Sequence, residues 1–240
     1  MRYAICLNLT WWLLIYLQTA RLQMPPPPPS PNLVVSAVKT PRPDISIGLH
    51  DPVVARALQS QGFDEGHAGT LLVELQDTVH GSGNEPLLRS EPTQQITDMR
   101  FPFLVVEGKT YATVSSFFEA QNQVAVSGAC ALKILYDLDN VANRARPGSQ
   151  SNDQPIIFSI CTQGPYHELW AHYVLIKNGI RTYQMSILKT CNAALRDELL
   201  GFLKAVDNVI RWGTGALLDQ ISKQLGDVAK AAQGSTAEKA

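Results

Sequence analysis

Three residues define the chemistry this sequence can offer: Asp44, Glu107 and Lys109. Glu107-Gly108-Lys109 closes FPFLVVE (101–107), the most apolar strand-like run in the chain. Residues i and i+2 of a strand share a face, so Glu107 and Lys109 project together from a run that expects burial. Asp44 follows a proline and opens a second strand-like run, DISIGL. If the two strands pair, both carboxylates converge on the lysine. Two hard oxygen ligands suit Mg²⁺ (or Mn²⁺), which keeps waters and a substrate phosphate in its other positions. Such an ion orients a water, lowers its pKa and neutralises charge on a phosphodiester. The lysine would hold the attacking water or the developing negative charge. A strand-end ion pair between Glu107 and Lys109, with Asp44 capping a turn, satisfies the same spacing equally well.

The elements that must position these residues can be read from periodicity. Residues 43–49 alternate apolar with small or polar residues and read as a short strand. Residues 51–76 carry helical spacing, broken at Gly62, Gly66 and Gly69. Residues 80–95 are a loop by composition. The run 101–107 is a strand buried on both faces. From about Ser115 to Asp137 a long helix is expected, with a small-residue face of Ala120, Val124, Ser127, Gly128, Ala131 and Leu135. A polar linker follows at 138–155, then strands at 156–162, 168–176 and 181–188 and helices at about 195–211 and 215–231. Interleaved strands and helices predict an α/β (α+β) domain with a mixed central sheet flanked by helices, two of them C-terminal. The separation of 63 residues from Asp44 to Glu107 is long for a hairpin, so the insertion is expected to fold outside the core.

Composition narrows the class. The 240 residues are 45% hydrophobic and 17% charged, which excludes wholesale disorder. A net charge of -1 excludes a generally basic nucleic-acid coat, although not a local patch. Cys6, Cys130, Cys161 and Cys191 form no CxxC pair, which argues against a zinc knuckle or a disulfide scaffold. Residues 1–23 hold an apolar run, Trp11 to Leu17, shorter than the ~20 residues that span a bilayer. It reads as a signal-like h-region, a buried first helix or a misassigned start. No stable membrane insertion is expected. Residues 24–39 are a Pro-rich linker, and Pro25–Pro31 is a stiff polyproline II spacer or a segment for an SH3- or WW-type reader. The folded domain is placed at 40–231, with a tail at 232–240.

Pro43-Asp44 followed by a buried strand ending in Glu107-x-Lys109 resembles the PD-(D/E)xK nuclease signature. The segments RPDISIGL (42–49), FPFLVVEGK (101–109), EAQNQVAVSGACALKIL (119–135), GPYHELWAHY (164–173) and AVDNVIRWG (205–213) resemble the fungal PD-(D/E)xK nuclease-like domain. Together they cover roughly residues 40–226. The resemblance implies a restriction-endonuclease-like core with the acidic pair and the lysine at one end of the sheet. It implies a metal-dependent hydrolase of phosphodiester bonds, with Asp44 and Glu107 as metal ligands and Lys109 as a catalytic residue. Related nucleases place a glutamine on the following helix near the metal, which makes Gln123 a candidate and Gln121 a second. An ordinary first helical turn facing water accounts for the same glutamines. Such nucleases also carry an acid on a helix before the first strand. No Asp or Glu precedes Asp44 here, which puts activity in doubt more than fold.

Other residues yield less. His167 and His172 are five apart, which fails the metalloprotease spacing and places them on opposite strand faces. A turn residue and a strand histidine are expected, with His167 near enough to approach a substrate. Gly81-Ser-Gly83 and Gly213-Thr-Gly215 read as turns, Trp170 and Trp212 as core, and Cys130 as a buried small hydrophobe. Lys39, Arg42, Lys109, Arg144 and Arg146 are the cations available to a nucleic-acid approach surface, DNA before RNA. Two other classes compete with a nuclease. One is a catalytically inert nuclease-like module that binds a partner or DNA. The other is a secreted or membrane-tethered interaction protein that uses residues 1–20. An intracellular location, nuclear or cytoplasmic, is the favoured expectation.

Overall fold

The computed structural model describes residues 15–18, 42–79, 86–90, 98–110, 117–146 and 154–237. Cys6, the proline run Pro25–Pro31, Lys39 and Gly81-Ser-Gly83 lie outside the described residues. Six strands form one sheet in chain order: β1 (Ile15–Gln18), β2 (Ile45–His50), β3 (Met99–Lys109), β4 (Ile156–Gln163), β5 (Tyr166–Lys177) and β6 (Ile180–Asn192). All neighbours are antiparallel except β3 and β4, which run parallel. A parallel pair cannot be joined by a tight turn. Here the crossover is α3 (Phe117–Ala145), which packs on β3 and β4. The expected mixed sheet flanked by helices, with two C-terminal helices, is therefore present.

Between β2 and β3 lie α1 (Asp51–Gln59) and α2 (Glu65–Asp77). The insertion was expected outside the core, but it builds it. Val54 and Leu58 of α1 and Leu71, Leu72 and Leu75 of α2 join the main buried cluster. Gly66 and Gly69 do not break α2. A helical glycine costs about 1 kcal/mol. Burying the three leucines returns about 1.5–3 kcal/mol each. Asp64 caps this helix by accepting the His67 N–H at 2.9 Å. Arg100 of β3 donates to the Asp51 carboxylate at 3.0 Å and ties α1 to the sheet.

Helix α3 also runs further than expected. Residues 138–145 continue it, because Leu138, Val141 and Ala142 are buried at helical spacing beneath polar neighbours. The C-terminal pair is α4 (Arg196–Trp212) and α5 (Leu218–Ala237), so residues 232–237 belong to a helix and not to a tail. Gly213-Thr214-Gly215 is not a turn but part of a π-helical segment, Gly213–Leu217. A Cβ at Gly213 would collide with the Phe103 ring. Trp212 packs perpendicular to Phe103 and Phe158, at ring separations of 6.4 and 5.2 Å. Ile15–Gln18, at the end of the N-terminal apolar run, form an edge strand, β1.

Helix α3 lies close to the sheet because Gly128 faces His172 of β5, where a Cβ would overlap the imidazole. His172 is buried and sits 2.7 Å from the Ser159 hydroxyl. Burial lowers its pKa to about 4. Gly128→Ala should cost about 1–3 kcal/mol in chemical denaturation, through overpacking against that ring. A change within about 0.5 kcal/mol would refute the close approach. The depressed histidine also has a pH signature. The unfolded state binds the extra proton between pH 6.5 and about 4, so stability falls as pH drops through that window. The loss assigned to His172 is on the order of 3 kcal/mol. It should be absent from His172→Gln, and an unchanged acid limb in that variant would overturn the assignment.

Candidate functional site

Asp44 precedes β2, and Glu107 and Lys109 end β3. Because Ile45 pairs with Val106, the two segments meet at one end of the sheet. The Asp44 N–H donates to Glu107 Oε2 at 3.3 Å. Asp44 Oδ2 accepts the Gly108 N–H at 2.7 Å. Lys109 Nζ stands 3.2 Å from Glu107 Oε1, as strand alternation requires of residues i and i+2. It also donates to Gln123 Oε1 on the first turns of α3. The four residues singled out by sequence are thus joined by one chain of hydrogen bonds. Gln123 does not simply face water: the parallel crossover returns the start of α3 to the end of β3.

Glu107 is buried, with 3% of its surface exposed, and its pKa is raised. Desolvation is the main cause. The Asp44 charge adds to it, while Lys109 and the Asp44 N–H oppose it.

Other assignments divide. Arg42 is exposed beside Asp44. Arg144 and Arg146 lie at the far end of α3, about 30 Å from Gln123 at 1.5 Å per residue. Arg146 is paired with Asp227 at 3.5 Å, so neither arginine serves the site. His167 is not a turn residue but part of β5. Its ring lies 5.8 Å from that of Phe202 on α4, and burial lowers its pKa. His172, an odd offset away, meets α3 on the opposite face. Cys130 is buried, as expected of a small hydrophobe. Trp212 packs on the main core and Trp170 on the smaller cluster beside α3.

Sequence reasoning missed Glu168. In register, Glu107 lies beside Cys161 and Cys161 beside Glu168, so all three share the sheet face under α3. Two strand spacings place the backbone positions of the two acids about 10 Å apart. Glu168 Oε2 accepts from Gln121 Nε2 and Trp170 Nε1, both at 2.9 Å. Its signal in sequence was parity: Glu168 and Trp170 are two apart on one strand. Between the acids, burial and both carboxylates push the Cys161 thiol up to about 12, which leaves it unreactive.

The donor set fits a hard divalent cation. Two carboxylates face one another, burial and the Asp44 charge disfavour the ionised form of Glu107, and Asp44 Oδ1 has no partner among the described residues. No group of three His, Cys, Asp or Glu residues capable of holding a metal occurs among the described residues. Binding would therefore rest on Asp44 and Glu107, with waters completing the shell.

The fold and site define an α/β domain with a carboxylate pair and a lysine at the end of its sheet. A family model described as "Domain of unknown function (DUF7924)" matches residues 18–225, and the chain belongs to that family. No curated protein and no solved structure gives a significant match. Among the described residues, no helix is long and apolar enough to cross a membrane.

The raised Glu107 has a testable consequence. The native state holds its proton above pH 4.5, where the unfolded chain has released it, so stability falls as pH rises from 4.5 through the folded pKa. Without metal, Glu107→Gln should be more stable than the parent at pH 7, and the difference should vanish below about pH 4.5. Thermal unfolding across pH measures this. Equal midpoints at pH 7 would remove the charge burden assigned to Glu107.

Proposed function

We propose that this domain is a metal-dependent nuclease of the PD-(D/E)xK type that hydrolyses phosphodiester bonds, DNA before RNA. The observation that carries the reading is the convergence of Asp44, Glu107 and Lys109, with Gln123 returned to them by α3. Asp44 and Glu107 would hold Mg²⁺ or Mn²⁺, and the bound ion would acidify a water and neutralise phosphate charge. Lys109 directs its ammonium toward the acidic pair, where it orients the attacking water or balances the negative charge of the transition state. Gln123 accepts from Lys109 and fixes its direction. Burial of Glu107 keeps water from competing for the carboxylate oxygens.

A second reading is an inert nuclease-like binding module. It is favoured by a specific feature: Asp44 and Glu107 already satisfy each other's neighbours through the Gly108 and Asp44 N–H groups and Lys109. A cleavage assay on the full chain separates the two readings. It would use single- and double-stranded DNA and RNA with Mn²⁺ or Mg²⁺. Under the nuclease reading, Glu107→Ala and Lys109→Ala each lower the rate by at least about 10²-fold. The parent gains about 3 kcal/mol of stability when Mn²⁺ is at 100 times its dissociation constant, and Glu107→Ala gains none. Metal binding without cleavage selects the inert module. Unchanged metal affinity in Glu107→Ala overturns the site.

A further inference from the structure

The net charge of -1 conceals two long segments of opposite sign. Residues 57–88 contain Asp64, Glu65, Glu74, Asp77 and Glu85 and no Lys or Arg. Residues 169–196 contain Lys177, Arg181, Lys189 and Arg196 and no Asp or Glu. The fold presents both. Glu65, Glu74 and Asp77 are exposed on α2, beside Val73 with 49% of its surface exposed. None of these acids has an ion-pair partner among the described residues.

The basic segment forms an arm. β4 pairs with β5 only as far as Tyr173; Val174 still packs in the main core, and Leu175–Lys177 with their partners Ile180–Thr182 extend past it. Asn178 and Gly179, with φ of 52° and 75°, close the tip as a two-residue turn. The arm exposes Leu175, Ile176 and Ile180, the last with 67% of its surface exposed. The outer edge of β6 is unpaired among the described residues. Arg181 of this strand sets its guanidinium over the Tyr136 ring of α3 at 3.7 Å and stays exposed there. A long edge strand without proline invites association. Two arms meeting edge to edge would bring only cations together. The acidic face of α2 offers the opposite charge and an apolar contact.

We propose that two copies of this chain associate with the β5–β6 arm of each set against the α2 face of the other. In a closed two-fold pair both contacts form at once, and each joins unlike charge. The proposal stands apart from the nuclease reading, since neither surface includes Asp44, Glu107 or Lys109.

Sedimentation velocity on the full chain tests it, with two variants. In one, Lys177→Glu and Arg181→Glu reverse the arm. In the other, Glu74→Lys and Asp77→Lys reverse α2, and the added cations near the helix C-terminus do not oppose its dipole. The parent should form a dimer that weakens about tenfold or more between low and high salt, as screening predicts. Each variant alone should be monomeric, because like charges then face each other. An equimolar mixture should recover a one-to-one dimer, because both contacts are again complementary. That recovery also excludes misfolding as the cause of the separate losses. A parent that stays monomeric at every salt concentration overturns the proposal. So does a dimer that survives both reversals, or a mixture that fails to associate.

Discussion

The parallel pairing of β3 with β4 is the constraint on which the rest of this structure depends. Antiparallel neighbours can be joined by tight turns, as β5 and β6 are at Asn178-Gly179. A parallel neighbour demands that the chain travel back along the sheet. The return is made by α3, so the helix must begin near the end of the sheet where β3 finishes. This brings Gln121 to Glu168 and Gln123 to Lys109 without any local sequence relation between the partners. The close fit of the crossover in turn requires a glycine at position 128, because the buried His172 ring occupies the space.

Much of this was legible because alternation and helical spacing survive without alignment. The 2.0 period of a strand puts Glu107 beside Lys109, and the structure pairs them. Convergence with Asp44 depended on β2 pairing with β3, which spacing raised only as a condition. The illegible parts have physical reasons. Asp139, Asn140 and Asn143 made residues 138–145 look like a linker, while Leu138, Val141 and Ala142 kept the helical register of a buried face. Gly66 and Gly69 looked like breaks because propensity ignores tertiary burial, and the leucines of α2 outweigh them. The role of α1 and α2 was misjudged because the 63-residue separation was read as an insertion outside the core, although its helical spacing carried the apolar residues that build the core. Glu168 was invisible because its relation to Glu107 runs through two strand registers, and register belongs to tertiary structure.

The site holds charges that the fold itself does not balance. Asp44, Glu107 and Glu168 lie toward one end of the sheet, and Lys109 pairs with Glu107. Glu168 is held by an amide and an indole, both neutral donors. Such donors lower the cost of a partly buried carboxylate but do not cancel its charge. Burial meanwhile works against the ionised form of Glu107. Folding therefore maintains an excess of negative potential that apolar residues at these positions would have avoided.

That excess bears on the proposed reaction. A phosphodiester is an anion, and an acidic site with a single ammonium would repel it. Under the nuclease reading the cation is therefore needed twice, once to admit the substrate and once to stabilise its transition state. The same electrostatics explains why a lysine close to the acids is more useful than a distant basic surface. Arg144 and Arg146 stand about 30 Å away, roughly four Debye lengths in physiological salt, and contribute little field there. Lys109, with only 15% of its side chain exposed, acts in a medium that screens it far less. Near-neutral net charge is thus no argument against an anionic substrate, because the interaction that matters is decided within a few ångströms of Glu107.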